Sequence, residues 1–346
     1  MKKVLFATTA LVMSMTAGVA VAEVAVTGDA RMGLIYDGND AQFSSRARVK
    51  FTLTGESDAG LSFGGSFRVD QQDDSGGKAS NGTAGSVWIS GTYGKLEMGD
   101  TVSASEAAIG DLYEVGYTQG GFGYDVEEIS YLTGDGANTD QGPNILYSYT
   151  IDRFELYASA SDGSDSAWPT TVGANVDDAD NAWSDDVAYS VAAKYNAETW
   201  WVGLGYAKHD EADEISLGAG ATFNNFTVKG VYVDYSDRFT VWLDSSDGNF
   251  APIVRDLDNG YMLDKTFGLS ADYAMDAVTI GGFWRRDEYK SDFIDAAGND
   301  YDDQEFDSFG IGAEYDLGGG AILAGGIIDT DYLNDTVADV GVRFTF

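Results

Sequence analysis

The sequence is short of several residue types on which other protein classes depend. It contains no cysteine, three prolines and a single histidine among 346 residues. Without cysteine, neither a disulfide framework nor a thiolate metal site is available. The one histidine, His209, lies between Lys208 and Asp210 in a predicted short loop, which makes it a poor candidate for a catalytic base.

Positive charge is also scarce in this chain. There are 20 Lys and Arg residues against 57 Asp and Glu residues, which gives a formal net charge of -37 at pH 7. Proteins that bind nucleic acid cluster Lys and Arg on an exposed face. The acidic balance therefore argues against a nucleic-acid partner, and it makes the few cations candidates for a specific role.

A long, almost uncharged run occurs only near the N terminus. Two lysines there precede an apolar stretch that ends in the small residues Ala20 and Ala22. We expect a cleaved export signal over residues 1–22 and one domain over residues 23–346. A membrane anchor is the alternative, but the stretch is short and rich in Ala, Thr, Ser and Gly. No later run approaches the roughly 20 apolar residues that a spanning helix needs.

Glycine and aromatic residues are abundant instead. The chain has 44 Gly and 20 Tyr, and aromatic residues make up 13% of it, which is typical of many strands joined by turns. In the segment FSSRARVKFTL, Arg46, Arg48 and Lys50 lie on one face of a predicted strand, and Val49 and Phe51 lie on the other. A row of cations beside a row of hydrocarbon suits a wall between a wet lumen and lipid.

The same alternation recurs along the chain, and tight turns alternate with long acidic connections. This pattern is typical of a barrel that has turns at one end and loops at the other, and it gives a count of about sixteen strands. The chain ends on an alternating strand that closes with Phe346, as outer-membrane barrels commonly do. The predicted fold class is therefore all-β, a transmembrane antiparallel barrel. Long connections are predicted at residues 71–85, 100–143, 162–185, 236–264 and 287–305.

The longest connection, residues 100–143, carries many carboxylates and almost no positive charge. A loop of this length in a compact fold is usually functional. Folded into the lumen, it would oppose acids to the inward cations and create a transverse field that selects solutes by charge. Salt bridges that merely tether the loop, and a solvated surface loop, are the alternatives. The candidate constriction residues are Glu106, Asp111 and Glu114 on the acidic side and Arg31, Arg46, Arg48, Lys50 and Arg68 on the basic side.

Seven segments distributed over residues 23–346 carry a family resemblance: DARMGLIYDG, SSRARVKF, KLEMGD, SASEAAIGDLYEVGY, YLTGD, YDLGGGA and VADVGVRFTF. They resemble the general-diffusion porins of alphaproteobacteria, notably those of purple photosynthetic bacteria. The resemblance implies a sixteen-stranded barrel, a homotrimer in the outer membrane among lipid and lipopolysaccharide, and an inward-folded third loop that forms the constriction. It implies no required cofactor. Some relatives bind calcium among acidic loop residues, so a calcium site is left open here.

The predicted function is a passive channel for small hydrophilic solutes and ions. A secreted acidic calcium-binding β-protein is one alternative, although the glycines at residues 318–320 lack the nonapeptide repetition of that class. An outer-membrane hydrolase is another, and it would depend on His209 or on an acidic pair that the sequence does not single out. A plugged transporter needs about 22 strands and a plug domain, more than residues 23–346 can supply.

Overall fold

The computed structural model describes residues 23–72, 85–119, 126–132, 144–161, 187–209, 212–236, 261–291, 303–333 and 335–346. The predicted signal over residues 1–22 lies outside the described residues, and the start of the domain at residue 23 stays a prediction. No helix in the described ranges is both long enough and apolar enough to cross a membrane.

The described residues form sixteen strands and one short helix. In chain order these are β1 (Glu23–Tyr36), β2 (Ala41–Glu56), β3 (Ser62–Gln72), β4 (Gly85–Gly91), β5 (Gly94–Gly99), α1 (Ala104–Ile109), β6 (Asn144–Ile151), β7 (Phe154–Ser161), β8 (Ala188–Asn196), β9 (Trp200–His209), β10 (Ala212–Phe223), β11 (Phe226–Tyr235), β12 (Tyr261–Met275), β13 (Val278–Ser291), β14 (Gln304–Gly318), β15 (Ala321–Thr330) and β16 (Val337–Thr345). Each strand pairs antiparallel with its sequence neighbours, and β1 also pairs with β16, which closes the barrel. The predicted antiparallel barrel of about sixteen strands is confirmed.

The two faces of the wall differ as the alternation predicts. On β10, Ile215 and Leu217 are exposed, whereas Glu214 and Ser216, which alternate with them, are fully buried at 0% exposure. On β2, Phe43 is 91% exposed on the outer face. The wall is therefore apolar outside and polar inside, which is the arrangement of a barrel surrounded by lipid.

Tight turns gather at one end of the barrel and the longer connections at the other. The tight turns each join an even-numbered strand to the next odd-numbered one, which agrees with the predicted alternation of tight turns and long connections. Asp152, Asn224 and Asp276 in these turns have positive φ angles of 54°, 57° and 50°. Asp and Asn adopt this left-handed conformation more readily than most residues with a side chain, so these short hairpins reverse sharply.

Three of the long connections are shorter than predicted. The connection at residues 71–85 loses three residues, because β3 runs to Gln72 and β4 begins at Gly85. β12 already begins at Tyr261 and β13 continues to Ser291, so the predicted loops over residues 236–264 and 287–305 each lose residues to strands. Asp287 shows the physical reason. Its carboxylate is buried on the inner face, where it accepts a hydrogen bond, so this acidic residue continues the strand instead of ending it.

Two further differences concern short elements. His209 is the last residue of β9 and pairs with Ala212 of β10, so the prediction that it lies in a loop is wrong. The helix α1 inside the loop over residues 100–143 was not predicted. Its N-cap is Ser103, whose hydroxyl accepts a hydrogen bond from the backbone N–H of Glu106. Such a cap satisfies one of the free N–H groups of the first turn.

Candidate functional site

The five predicted basic residues lie together on the inner face of three adjacent strands. Arg31 of β1 is opposite Arg46 of β2 in the pairing register, and Lys50 of β2 is opposite Arg68 of β3. Arg48 lies between Arg46 and Lys50 on the same face of β2. We call these five residues the basic wall. The alternation in the sequence placed them correctly because neighbouring strands keep their inward positions in register.

Carboxylates from the same strands neutralise only part of the basic wall. Arg46 Nη2 lies 3.4 Å from Asp29 Oδ1, Arg48 Nε lies 3.1 Å from Asp70 Oδ2, and Arg68 Nε lies 2.7 Å from Asp70 Oδ1. These ion pairs hold the long side chains in place. In the part of the chain that the structure describes, these two carboxylates pair with three of the five cations, so the cations of the basic wall outnumber the carboxylates bonded to them.

A sixth cation, Arg343 of β16, extends the row, and the sequence prediction did not include it. It is directly opposite Arg31 in the register, so Arg343, Arg31 and Arg46 follow one another across three strands. Its guanidinium also bonds Glu314 of β14. The alternation of the last strand already put Arg343 on the polar face, but only the closure of β16 on β1 shows that it joins the wall.

The loop that follows β5 turns into the barrel and first lies against β7 to β10 through α1. Two serines of the wall receive the first turn of the helix. The Ser159 hydroxyl accepts a hydrogen bond from the backbone N–H of Ala104 at 2.9 Å, and the Ser190 hydroxyl accepts one from Ser105 at 3.1 Å. Because these N–H groups have no partner within a helix, the serines both satisfy and position the start of α1.

After α1 the loop follows the inner wall across β12 to β16 and on to β1, and glycines of the strands make room for it. A Cβ on Gly281 would lie 2.4 Å from Tyr113 Cε1, and one on Gly326 would lie 2.4 Å from Val115 Cγ1. Either distance is far below van der Waals contact, so no larger residue fits without moving the loop. The contacts are Leu112 on Gly268, Tyr113 on Gly281, Val115 on Gly312 and Gly326, and Tyr117 on Gly341 and Gly33.

Asp339 of β16 fixes the end of residues 100–119, which we call the first loop segment. Its carboxylate accepts hydrogen bonds from the backbone N–H groups of Tyr117 at 3.1 Å, Thr118 at 2.9 Å and Gly326 at 3.0 Å, and from the Thr118 hydroxyl at 2.8 Å. The Arg31 guanidinium donates to the carbonyl oxygen of Thr118. The first loop segment thus reaches the edge of the basic wall. The sequence places Asp339 at an inward-facing position of the last strand but gives no other sign of its role.

The three predicted acidic residues have different surroundings. Glu106 is 9% exposed in α1, away from the basic wall. Asp111 accepts a hydrogen bond from the backbone N–H of Ile129 at 2.8 Å. Glu114 is exposed between Tyr113 and Val115, which pack on the wall. Of the three, the structure brings only Glu114 to the open lumen beside the row of cations.

The electrostatic surroundings of Glu114 support this placement. Crowding by neighbouring protein atoms removes part of its hydration and raises the pKa of the Glu114 carboxyl above its ordinary value of 4.5, whereas the positive charge of Arg343 opposes that rise. Asp111 and Glu314 add to the rise through like-charge repulsion. Glu114 therefore interacts electrostatically with the cation that extends the basic wall.

A second part of the loop, residues 126–132, lies on the same side of the lumen as the first. Arg285 of β13 donates to the carbonyl of Val126 at 3.3 Å, and the Tyr235 hydroxyl of β11 donates to the carbonyl of Ser130 at 2.6 Å. Glu214 of β10 accepts a hydrogen bond from the backbone N–H of Leu132. The inner wall supplies an anchor from each of three strands. Sequence patterns gave no sign of these anchors, since each depends on contacts between distant segments.

The geometry defines a class of protein: a barrel with an apolar outer face, a polar inner face, and a loop held inside the lumen opposite a row of cations. The sequence profile of the Gram-negative porin family matches residues 7–335, and the chain belongs to that family. It is 41% identical over 343 residues to a porin of Rhodobacter capsulatus, a match that covers 94% of this chain and all of the relative. A porin of Fuscovulum blasticum is 29% identical over 339 residues, with 94% and 100% coverage.

Solved structures agree with these relatives. A porin structure refined at 1.8 Å resolution superposes with a TM-score of 0.70 at 39% identity, covering 94% of this chain and 100% of that one. A mutant of Rh. blastica porin shares the fold, with a TM-score of 0.59 at 24% identity and 93% and 100% coverage. The resemblance found in the sequence is confirmed. The protein is an outer-membrane channel of the porin type, integral to the membrane, and its homologues of known structure imply a porin-type oligomer.

Proposed function

We propose that this channel passes small hydrophilic solutes and ions by passive diffusion through a charged constriction between the basic wall and the inward loop. The proposal rests on the position at which the first loop segment meets the basic wall. Asp339 and Arg31 hold Thr118 at the edge of the basic wall, and Glu114 is exposed next to Arg343. A solute that crosses the barrel passes between these groups.

The two sides of this constriction carry opposite charges. Excess cations on the wall attract anions, and the exposed carboxylate of Glu114 attracts cations, so the field points across the lumen and orders water and dipolar solutes. We assign Glu114 the contact with solutes. Glu106 and Asp111 shape the loop that carries it: Glu106 lies within α1 and Asp111 bonds the second loop segment.

Neutralising two arginines of the wall tests this proposal. In the double variant Arg46→Gln/Arg48→Gln we expect the ratio of cation to anion permeability to rise about sixteenfold. A unit charge about 8 Å from a passing ion contributes about 0.5 kcal/mol in water, which is about twofold for the cation and about twofold in the opposite sense for the anion at each charge. The reversal potential of planar bilayers under a salt gradient measures this ratio. Arg153→Gln, in the tight turn between β6 and β7, is the matched control. An unchanged reversal potential in the double variant would sink the proposal.

We also propose that the channel is a homotrimer embedded in outer-membrane lipid and lipopolysaccharide. β4 and β5 have seven and six residues, fewer than the about 9–11 that a strand needs to cross a bilayer. Their outer faces are nevertheless apolar, with Val87 62% and Met98 47% exposed. A second subunit packed on these short strands would shield their ends from lipid. Native mass measurement should give three copies of the chain, and a single copy would contradict this arrangement.

We assign the channel no catalytic step and no required cofactor. Diffusion through a water-filled lumen needs only fixed charges and a fixed gap. In the residues that the structure describes, no group of three or more His, Cys, Asp or Glu side chains is arranged to hold a metal ion. If no metal is required for diffusion, single-channel conductance should be the same with added calcium and with a chelator. A hydrolytic activity of the purified protein that disappears in His209→Ala would revive the enzyme alternative.

A further inference from the structure

A chain of buried polar groups joins the connection between β15 and β16 to the second loop segment. The Tyr332 hydroxyl donates to Asp287 Oδ2 at 2.7 Å, and Arg285 Nε donates to Asp287 Oδ1 at 3.0 Å. Arg285 then donates from Nη1 to the carbonyl oxygens of Val126, at 3.3 Å, and Glu128. The constriction role assigned to the loop does not by itself explain why an ion pair is built underneath it.

The burial of these groups makes their geometry strict. Asp287 is 0% exposed, and Arg285 and Tyr332 are 6% exposed. Asp287 Oδ1 also accepts a hydrogen bond from the Thr266 hydroxyl at 2.6 Å. A buried charge that loses its partner is strongly unfavourable, so the pair tolerates few alternative arrangements. The loop carbonyls bonded to Arg285 are therefore held at defined positions.

Tyr332 reaches this site from outside the strands. Its ring stacks on Phe306 with centroids 4.7 Å apart, and its hydroxyl shares a hydrogen bond of 2.9 Å with Tyr289. The connection that carries Tyr332 lies at the barrel end with the long connections, which in outer-membrane barrels faces the cell exterior. An outer segment is thus docked in the same buried cluster that holds the loop.

The second loop segment is in turn bonded to the first. The backbone N–H of Leu112 donates to the carbonyl of Glu127 at 3.1 Å, and the backbone N–H of Ile129 donates to Asp111 Oδ1 at 2.8 Å. Glu114 follows three residues after Asp111. A displacement of residues 126–132 would consequently move the segment that presents Glu114 to the lumen.

We propose that Arg285, Asp287 and Tyr332 are positioning residues of the channel. They hold residues 126–132 at one depth in the lumen, and through this segment they hold the edge of the constriction, so that the open pore has a single, quiet conductance. They also link that position to the outer connection between β15 and β16. This proposal rests on the proposed role of the loop as the constriction.

The neighbouring residue offers a matched control. Arg285 and Arg286 are consecutive on β13 and point to opposite faces; Arg286 bonds Glu305 at 2.9 Å and Asp307 at 2.6 Å on the outer side. Arg285→Gln and Arg286→Gln therefore remove the same charge, but only the first removes the bonds to the loop. Single-channel recording should show brief closures about tenfold more frequent in Arg285→Gln, the ratio expected when a charge-assisted hydrogen bond is lost. Arg286→Gln should record like the unchanged channel.

Tyr332→Phe keeps the ion pair and the stacked ring, and it keeps the proposal testable if Arg285→Gln does not fold. It should raise the closure frequency by a smaller factor, about threefold, because one hydrogen bond of the cluster is lost and the ion pair remains. Closure frequency and open-channel noise equal to those of the unchanged protein in both variants would overturn the proposal, as would equal effects of Arg285→Gln and Arg286→Gln. Failure of the constriction itself is recognised separately, by an unchanged reversal potential in Arg46→Gln/Arg48→Gln.

Discussion

Two parts of the barrel wall contribute differently to the lumen. On β1 to β3 the inner face carries long cationic side chains, and carboxylates of the same strands brace them. On β12 to β16 the corresponding face carries glycines where the loop crosses, and Leu112, Tyr113 and Val115 pack against them. The basic wall carries its charge beside the lumen, and on β12 to β16 a glycine marks each place where the loop packs on the wall. An asymmetric channel results from a wall of uniform strand geometry.

Removing Asp339, which anchors the end of the first loop segment, should have the largest effect on this difference between the two parts of the wall. Asp339→Ala leaves the backbone N–H groups of Tyr117, Thr118 and Gly326 without their acceptor, and each unsatisfied buried donor costs about 1–3 kcal/mol. We expect the first loop segment to leave the wall, with a changed single-channel conductance and protease cleavage near residue 118. Asp329→Ala, which removes an exposed carboxylate of β15, is the control. Identical cleavage and conductance in the two variants would contradict the anchoring role.

Adding a side chain at one of the glycines against which the loop packs should have the next largest effect. In Gly326→Ala the new Cβ would lie 2.4 Å from Val115 Cγ1 and 2.9 Å from the backbone N of Gly116, so the loop must shift, at a cost of about 1–3 kcal/mol. Gly230→Ala is matched in type, but its Cβ would lie 3.3 Å from the flexible end of Leu269 and 3.9 Å from the Gly268 carbonyl oxygen, so little has to move. Thermal unfolding and conductance should change in the first variant and not in the second. Equal behaviour would mean that the glycines do not seat the loop.

The smallest predicted effect is a pH dependence of selectivity from Glu114. Because its pKa is raised, this carboxyl takes up a proton at a higher pH than an unperturbed glutamate does. Cation preference should fall there by about fourfold as the pH decreases, about twofold from each of the two ions. The sign for stability is opposite to that of a salt-bridged acid: the folded protein holds this proton more tightly than the unfolded chain, so the free energy of unfolding rises as pH falls through this range.

Reversal potentials recorded as a function of pH test this dependence, with Glu114→Gln as the control in which this step is absent. If Glu114→Gln keeps the same pH profile as the unchanged protein, another group is responsible for the selectivity.

Sequence patterns predicted the regular part of this structure and missed the irregular part. The basic wall was predictable because Arg46, Arg48 and Lys50 alternate locally with apolar residues, and a period of two is a property of one strand. Arg343 and Asp339 gained their roles only from the closure of β16 on β1. Pairing between distant strands leaves no local trace in the sequence.

The path of the loop was unpredictable for a related reason. Gly281 and Gly326, which seat it, look the same in sequence as glycines of turns. In the sequence, Asp287 resembles the start of an acidic loop. Its partners Thr266, on the neighbouring strand, and Arg285, on the inner face of the same strand, are recognised only in the folded barrel. Among the acidic candidates, residue type alone could not separate the exposed Glu114 from Asp111, which bonds the chain itself.

Substituted-cysteine modification tests the central claim most directly, because the sequence contains no cysteine and each introduced thiol is unique. The claim is that Glu114 and the basic wall flank the path of the solutes. In Glu114→Cys, positively and negatively charged thiol reagents of similar size should both reduce the single-channel current and shift the reversal potential in opposite directions. Phe43→Cys, on the outer face, should show neither change. Modification at position 114 that leaves current and reversal potential unaltered would contradict the account.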